Sequence, residues 1–153
     1  MTVYDRLSEL GLEMPAAPKP AGSYVPAKIS RGLIFASGQT PTVEGKNVYE
    51  GKVGKEVSEE DAYTAARLAA LNCVAELHYV LGDLGRVREI IKVTGYVASA
   101  PGFGQQPRVV NGASELFQEL WDENGRHARA AIGVAELPFD GPVEIEVIAE
   151  IDE

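Results

Sequence analysis

The sharpest pattern in the chain lies at its end. Val143, Ile145, Val147, Ala149 and Ile151 alternate with Glu144, Glu146, Ile148 and Glu150. A period of two marks a strand whose two faces meet different surroundings. Leu33, Ile34, Phe35 and Ala36, bounded by Gly32 and Gly38, predict a short buried strand. Ile90, Ile91, Val93, Tyr96 and Val97 are β-branched or aromatic and predict another, and Arg129 to Glu136 a fourth. Val48 and Tyr49 suggest a small hairpin within the polar segment from Thr42 to Val57.

Helical spacing appears three times. Val3, Leu7 and Leu10 predict a short amphipathic helix that Gly11 ends. Ser58-Glu59-Glu60-Asp61 resembles a capping box, in which a serine oxygen and a carboxylate three residues on satisfy free N–H groups. The helix it opens runs to about Leu81, with Gly82 near its cap. Its face of Ala65, Ala66, Ala69, Leu71, Cys73, Val74 and Leu77 is wide enough for heavy burial against a sheet. Arg67, Asn72, Glu76 and His78 interrupt it too often for a membrane span. Pro107 suits the first turn of a third helix, whose apolar face runs from Val109 to Trp121 and which Gly125 closes. The proline-rich stretch from Met14 to Lys28 is an extended connector. Strand, helix, strand, helix, strand, strand predicts an α+β fold with two helices on one face of a mixed sheet.

Length and charge narrow the picture. A chain of 153 residues fits one domain, residues 1–153. The net charge of −9 and the scatter of its bases make nucleic acid an unlikely partner, because such binding rests on clustered Lys and Arg. With Cys73 as the single cysteine, neither an intramolecular disulfide nor a multi-cysteine zinc site is available. No leader pattern opens the chain and no long apolar run occurs, so the expectation is a cytoplasmic protein away from membranes. Nothing calls for a metal or a cofactor.

Generic catalytic motifs are absent: there is no phosphate loop, zincin helix or nucleophile elbow. What stands out instead is a set of blocks in order. Gly22-Ser23-Tyr24-Val25 comes first, then Phe35-Ala36-Ser37-Gly38-Gln39-Thr40-Pro41, then Val110-Asn111. Arg129, Ile132, Val134, Leu137 and Pro138 follow, and last Val143-Glu144-Ile145-Glu146. Taken together, from about residue 21 to residue 151, these resemble the RidA (YjgF) family. Residues 1–20 then stand as an N-terminal extension.

The resemblance implies a chorismate-mutase-like α+β subunit, a homotrimer, and clefts between neighbouring subunits. The activity it implies is hydrolysis of reactive enamines and imines, such as those derived from 2-aminoacrylate, to 2-keto acids and ammonia. Such chemistry needs a hold on the substrate carboxylate, which a guanidinium supplies with two parallel hydrogen bonds. It also needs a positioned water, for which a carboxylate can act as general base. By the matched motif Arg129 would hold the carboxylate, Glu144 would activate the water, and Tyr24, Ser37 and Asn111 would line or support the cleft.

Plainer readings stand beside each of these. Arg129 could form a surface salt bridge to a glutamate, and Glu144 could sit on a solvated strand face. Tyr24 and Asn111 could serve packing or capping. His127, two residues before Arg129, could be a proton shuttle but reads more simply as an exposed loop histidine; His78 reads as a surface or satisfied residue, and Cys73, Phe117 and Trp121 as core. The chain also departs from the family: Ala131 replaces a frequent cysteine two residues after the arginine, and Gly133 stands where a glutamate or similar residue is usual. The loops Thr42 to Val57 and Ala98 to Gln106 look longer. A non-catalytic carboxylate sensor using the same cleft remains the rival reading. Ribonuclease activity fits the acidic charge poorly.

Overall fold

The computed structural model describes residues 1–152; Glu153, the last residue of the expected domain, lies outside them. In chain order the elements are α1 (Val3–Glu9), β1 (Ala27–Ser30), β2 (Leu33–Gln39), β3 (Thr42–Val43), β4 (Lys46–Asn47) and α2 (Glu59–Leu81). Then come β5 (Val87–Ala98), α3 (Gln106–Trp121), β6 (Ala128–Val134) and β7 (Val143–Ile151). Five strands form one sheet in the order β1-β2-β7-β5-β6. The β5–β6 pair is parallel and the other three are antiparallel, so the sheet is mixed as the element order predicts. Both α2 and α3 pack on one of its faces, α2 over β2 and β7 and α3 over β5 and β6.

The alternation read in β7 holds in space. Val143, Ile145, Val147, Ala149 and Ile151 are buried beneath the helices. The register carries that face across the sheet, since Val93 pairs with Val147 and Ile34 with Ala149, all of them core. The opposite face bears Glu144, Glu146, Ile148 and Glu150. Beside them stand Tyr96, paired with Glu144, and Phe35, paired with Ile148.

Local chemistry sets the helix ends. Ser58 Oγ accepts the Asp61 N–H at 3.1 Å, and three acidic residues in the first turn of α2 complement its dipole. Gly82 takes the left-handed cap conformation. The alanines of α2 allow close packing, and the tightest point is on α3: a Cβ on Gly112 would collide with the Tyr63 carbonyl. Cys73, Phe117 and Trp121 are core residues, as expected.

Several boundaries differ from expectation. The connector ends earlier, because Ala27 already pairs with Ala36 to begin β1. The hairpin forms from Thr42–Val43 and Lys46–Asn47 around Glu44-Gly45, just ahead of Val48 and Tyr49. Helix α3 stops at Trp121, not at Gly125: Asp122 adopts a positive φ of 52° and a 3-10 turn spans Asp122–Gly125. Arg6 of α1 grips the Asp122 carboxylate with both ends of its guanidinium, which fixes that turn. Tyr4 adds a second tie, accepting the Leu84 N–H at 2.8 Å while meeting His78 Nδ1 at 2.9 Å. The N-terminal segment is thereby packed on the ends of α2 and α3. Among the described residues no helix is long and apolar enough to cross a membrane.

Two polar residues that seemed to interrupt the α2 stripe are in fact buried. Asn72 is 1% exposed, and its amide donates to the carbonyls of Thr40 and Thr42 at 3.1 and 3.0 Å. It therefore holds the chain where it leaves β2. Glu76, one turn on, is also 1% exposed, and neither carboxylate oxygen has a hydrogen-bond partner. Burial pushes its carboxyl up to about 9, against a smaller opposing pull from the Gln39 side chain.

A carboxyl raised in the fold stabilises fully below its ordinary unfolded value and loses that contribution as pH climbs towards its folded value. For Glu76 the window runs from about 4.5 to about 9. The stability of wild type minus that of Glu76→Gln should fall across this window, by at most about 1.4 kcal/mol per pH unit. Urea denaturation of both proteins from pH 5 to pH 9 measures it, and a difference independent of pH would refute the buried neutral acid.

Candidate functional site

Arg129 is the second residue of β6, an outer strand of the sheet. It pairs with the core residue Val93, so its side chain leaves the sheet on the helix side and meets α3. There Nη1 donates to Asn111 Oδ1 at 2.8 Å and to Ser114 Oγ at 3.2 Å, and Nη2 reaches the Pro107 carbonyl at 3.4 Å. All three acceptors are neutral. The salt bridge to a glutamate does not form, and none of the ion pairs among the described residues uses Arg129. A half-buried guanidinium thus keeps its whole charge, which it tolerates because it is weakly hydrated.

Asn111 earns its contact by position. Val110 before it is buried in the core, and the next residue along the helix turns towards β6. Ser114 lies three residues further on the same face. His127, expected to be exposed, is instead half-buried, with Nε2 at 2.8 Å from Ser114 Oγ and Nδ1 at 2.7 Å from the Gly125 carbonyl. Its ring stands edge-on to Phe117. Burial, and secondarily the charge of Arg129, lower its pKa against the pull of the Gly125 carbonyl. Ser114 is a site residue that motif reading passed over, and His127 one that it set aside as exposed. The signal for Ser114 was its spacing of three from Asn111 along a helix; the spacing of two from His127 to Arg129 was visible, but not the burial of the ring.

Glu144 lies elsewhere. It pairs with Tyr96 on the face the helices leave open, opposite to the face that carries Arg129. Its carboxylate rests against the end of β2, where a Cβ on Gly38 would come within 2.5 Å of Oε2. The register of β2 on β7 breaks between Ala36 and Gln39, which sets Ser37 and Gly38 in a bulge opposite Glu146. A residue without a side chain at position 38 makes room for the acid. Burial raises the Glu144 carboxyl above the usual carboxylate range, and the nearby Glu146 charge adds to it. Glu146 accepts the Tyr96 hydroxyl at 2.7 Å, and this bond, with burial, pushes Tyr96 up to about 12.

Ser37 belongs to the Glu144 side, and Tyr24 to the connector that Ser37 holds. Ser37 Oγ donates to the Val25 carbonyl at 2.6 Å, and Ser37 N–H to the Pro26 carbonyl, which ties the connector to β2. Tyr24 is 48% exposed, and its hydroxyl accepts the Ala21 N–H at 3.2 Å. The candidates therefore fall into two groups, Arg129 with Asn111 and Glu144 with Ser37 in the adjoining bulge, while Tyr24 lies on the exposed connector next to Val25. One chain does not bring the two together. At the departures, Ala131 packs against the core, and the Gln106 amide occupies the space a side chain at Gly133 would need. Among the described residues no cluster of three or more His, Cys, Asp or Glu could hold a metal.

Comparison with known proteins agrees with this architecture. A YjgF/chorismate_mutase-like family model, which carries an endoribonuclease label, matches residues 4–151. Protein TCP17 of Trypanosoma cruzi is 39% identical over 147 residues, covering 95% of this chain and 92% of its own. A 2-iminobutanoate/2-iminopropanoate deaminase of Dermatophagoides farinae is 27% identical over 141 residues, covering 92% of this chain and 95% of its own. The crystal structure of Atu1372 from Agrobacterium tumefaciens superposes with a TM-score of 0.91 at 45% identity, covering 99% of this chain and 93% of that one. With the matched blocks, the sheet order and the family match in agreement, this chain belongs to the YjgF (RidA) family.

Proposed function

We propose that this protein hydrolyses small 2-imino acids, and the enamines that tautomerise to them, to 2-keto acids and ammonia. The observation that carries the reading is Arg129: a half-buried guanidinium held by neutral oxygens, with no carboxylate of its own. Asn111 and Ser114 accept from Nη1 and the Pro107 carbonyl from Nη2, which leaves Nε and the second hydrogen of Nη2 to bind a carboxylate side-on. Glu144 is the partner acid. Its carboxyl, raised by burial, is a stronger base than a solvated one once it is ionised.

In the proposed reaction Glu144 takes a proton from water as the oxygen attacks the C2 carbon of the iminium. The resulting carbinolamine receives that proton on nitrogen, the C–N bond breaks, and ammonia leaves as the hydroxyl proton returns to Glu144 and the C2 carbonyl forms; Glu144 then yields that proton to the ammonia or to water. An enamine substrate first gains a proton at its β-carbon. Related proteins with a deaminase name support this chemistry.

In this reading the two groups come from different copies of the chain, which their positions on opposite faces of one sheet support. A cyclic assembly that sets the β6–α3 edge of one subunit against the β2–β7 face of the next unites them. The resemblance gives a homotrimer as that assembly. The open face suits burial: Phe35 is 41% and Ile132 46% exposed, flanked by Ile148 and Tyr96. The endoribonuclease label of the family fits this chain less well, given its net charge of −9.

Ammonia and keto-acid release from imino acids generated in the cuvette should be detectable with wild type. Arg129→Ala should lower kcat/KM roughly 10- to 150-fold, the equivalent of the 1.5–3 kcal/mol of a charged hydrogen bond. Arg129→Lys should recover little, since an ammonium cannot bind side-on. Saturable binding of a 2-keto acid with no ammonia release from any imino acid would instead mark a metabolite-binding module. Glu144→Gln should reduce kcat about 10²- to 10⁴-fold. Activity needs the ionised acid, so the acid limb of the wild-type profile should lie above the ordinary carboxylate range. An acid limb unchanged in Glu144→Gln would remove Glu144 from the role of base. Light scattering should give the mass of three chains, and a monomer with full activity would refute the shared cleft.

A further inference from the structure

The Arg129 contacts continue inward. We infer that Ser114 and His127 are positioning residues for the carboxylate-binding guanidinium, joined to it in one directed hydrogen-bond chain. The inference rests on the reading of Arg129 given above and deepens it.

The direction of the chain follows from what each atom can do. The Gly125 carbonyl can only accept, so the proton on the His127 ring sits at Nδ1, 2.7 Å away. In the neutral imidazole Nε2 is then bare and must accept. The atom facing it at 2.8 Å is Ser114 Oγ, which therefore points its own hydrogen at the histidine. With that hydrogen committed, the serine oxygen is left as an acceptor on its other side. Arg129 Nη1, which can only donate, meets it at 3.2 Å. The run is Arg129 to Ser114 to His127, with the His127 ring anchored in turn on Gly125. Reversing any one bond would set two donors or two acceptors against each other.

Burial makes the chain consequential. Ser114 is 5% exposed, so its hydroxyl has little water to turn to. The His127 ring is packed edge-on against Phe117, itself fully buried, at 6.1 Å between centroids. Without Ser114, Nη1 would keep one fixed hydrogen, on Asn111, and the long contact of Nη2 with the Pro107 carbonyl would be the only other restraint on the fork. The second bond, to Ser114, fixes the plane of the fork, and His127 keeps the serine oxygen turned towards it. The edge presented to a ligand is set by residues that a substrate does not touch.

A positioning role predicts a particular kinetic signature. Arg129 binds a carboxylate that persists through the reaction, so loosening it weakens binding and largely spares the chemical step. Ser114→Ala and His127→Phe, which keeps the ring against Phe117 but removes the acceptor, should each raise KM about 10- to 100-fold with much smaller changes in kcat. Because both break one chain, the double variant should be little worse than either single one. His127→Gln, which can place an amide oxygen near the Nε2 position, should recover much of the loss. Titration with 2-ketobutyrate gives the same ratios as dissociation constants, without turnover.

The ¹⁵N shifts of the His127 imidazole should show an Nδ1–H tautomer in wild type and an altered Nε2 environment in Ser114→Ala. Unchanged KM and Kd in folded His127→Phe, strictly additive effects, or an Nε2–H tautomer would each overturn the positioning claim. A wild type that binds 2-ketobutyrate without releasing ammonia overturns deamination alone, and the Kd ratios then decide the positioning claim. A wild type that neither binds nor turns over overturns both.

Discussion

A strand shows successive side chains to opposite faces, and here that rule keeps the two most reactive charges of the chain apart. On β7 it sends Ile145 and Val147 under the helices and Glu144 and Glu146 to the open side. On β6 the same rule, carried through β5 by register, sends Arg129 to the helix side. A carboxylate and a guanidinium within reach would collapse into an ion pair and neutralise each other. Separated by the sheet, the two groups of one chain cannot. The price falls on Glu144, which stays partly buried beside a like charge with no compensating cation and is raised accordingly. Its neighbour Glu146 is better served, since it accepts the Tyr96 hydroxyl.

The polar accounting around Arg129 points the same way. Several other arginines find acids, as Arg6 holds Asp122, Arg67 holds Glu119 and Arg88 holds Asp152, while Arg86 ends on the backbone carbonyls of Leu81 and Asp152. With 23 acidic residues against 14 basic ones, a carboxylate partner is the ordinary outcome. Arg129 is surrounded by an amide oxygen, a hydroxyl and a carbonyl instead. Neutral acceptors orient the fork without cancelling its charge. Surface pairs such as Arg88–Asp152 contribute little to stability, so the informative feature is a partly buried fork held by two neutral side-chain oxygens of α3.

Much of the fold was legible because it rests on local rules. The period of two in β7, the Ser58 cap and the Gly82 stop of α2 each depend on neighbours in sequence, and each was found in place. Boundaries set by distant contacts were not legible. The end of α3 depends on Arg6 reaching Asp122 across 116 positions, which no local pattern announces. Asn72 and Glu76 looked like breaks in an apolar stripe, because sequence alone does not show which polar residues find buried acceptors. The candidate site was legible as a list of residues from resemblance, but not as a geometry. That Arg129 and Glu144 oppose each other across the sheet follows only from pairing register. His127 was misread as exposed because its burial comes from α3, through Ser114 and Phe117, and from a turn ending at Gly125.

The buried polar groups of α2 gain a reason from where they lie. Asn72 grips the carbonyls of Thr40 and Thr42, just past the bulge of Ser37 and Gly38 that receives Glu144. Glu76, one turn further along the helix, is influenced by Gln39, the last residue of β2. An apolar residue at position 72 would leave those two carbonyls without that donor and the exit of β2 free to choose another path. The path matters, because Gly38 must stay where a side chain would strike Glu144. Local rules are broken most often where function constrains the backbone. An unpartnered acid in the core beneath that bend is such a break, and it places the least comfortable part of the interior directly under the Glu144 half of the proposed cleft.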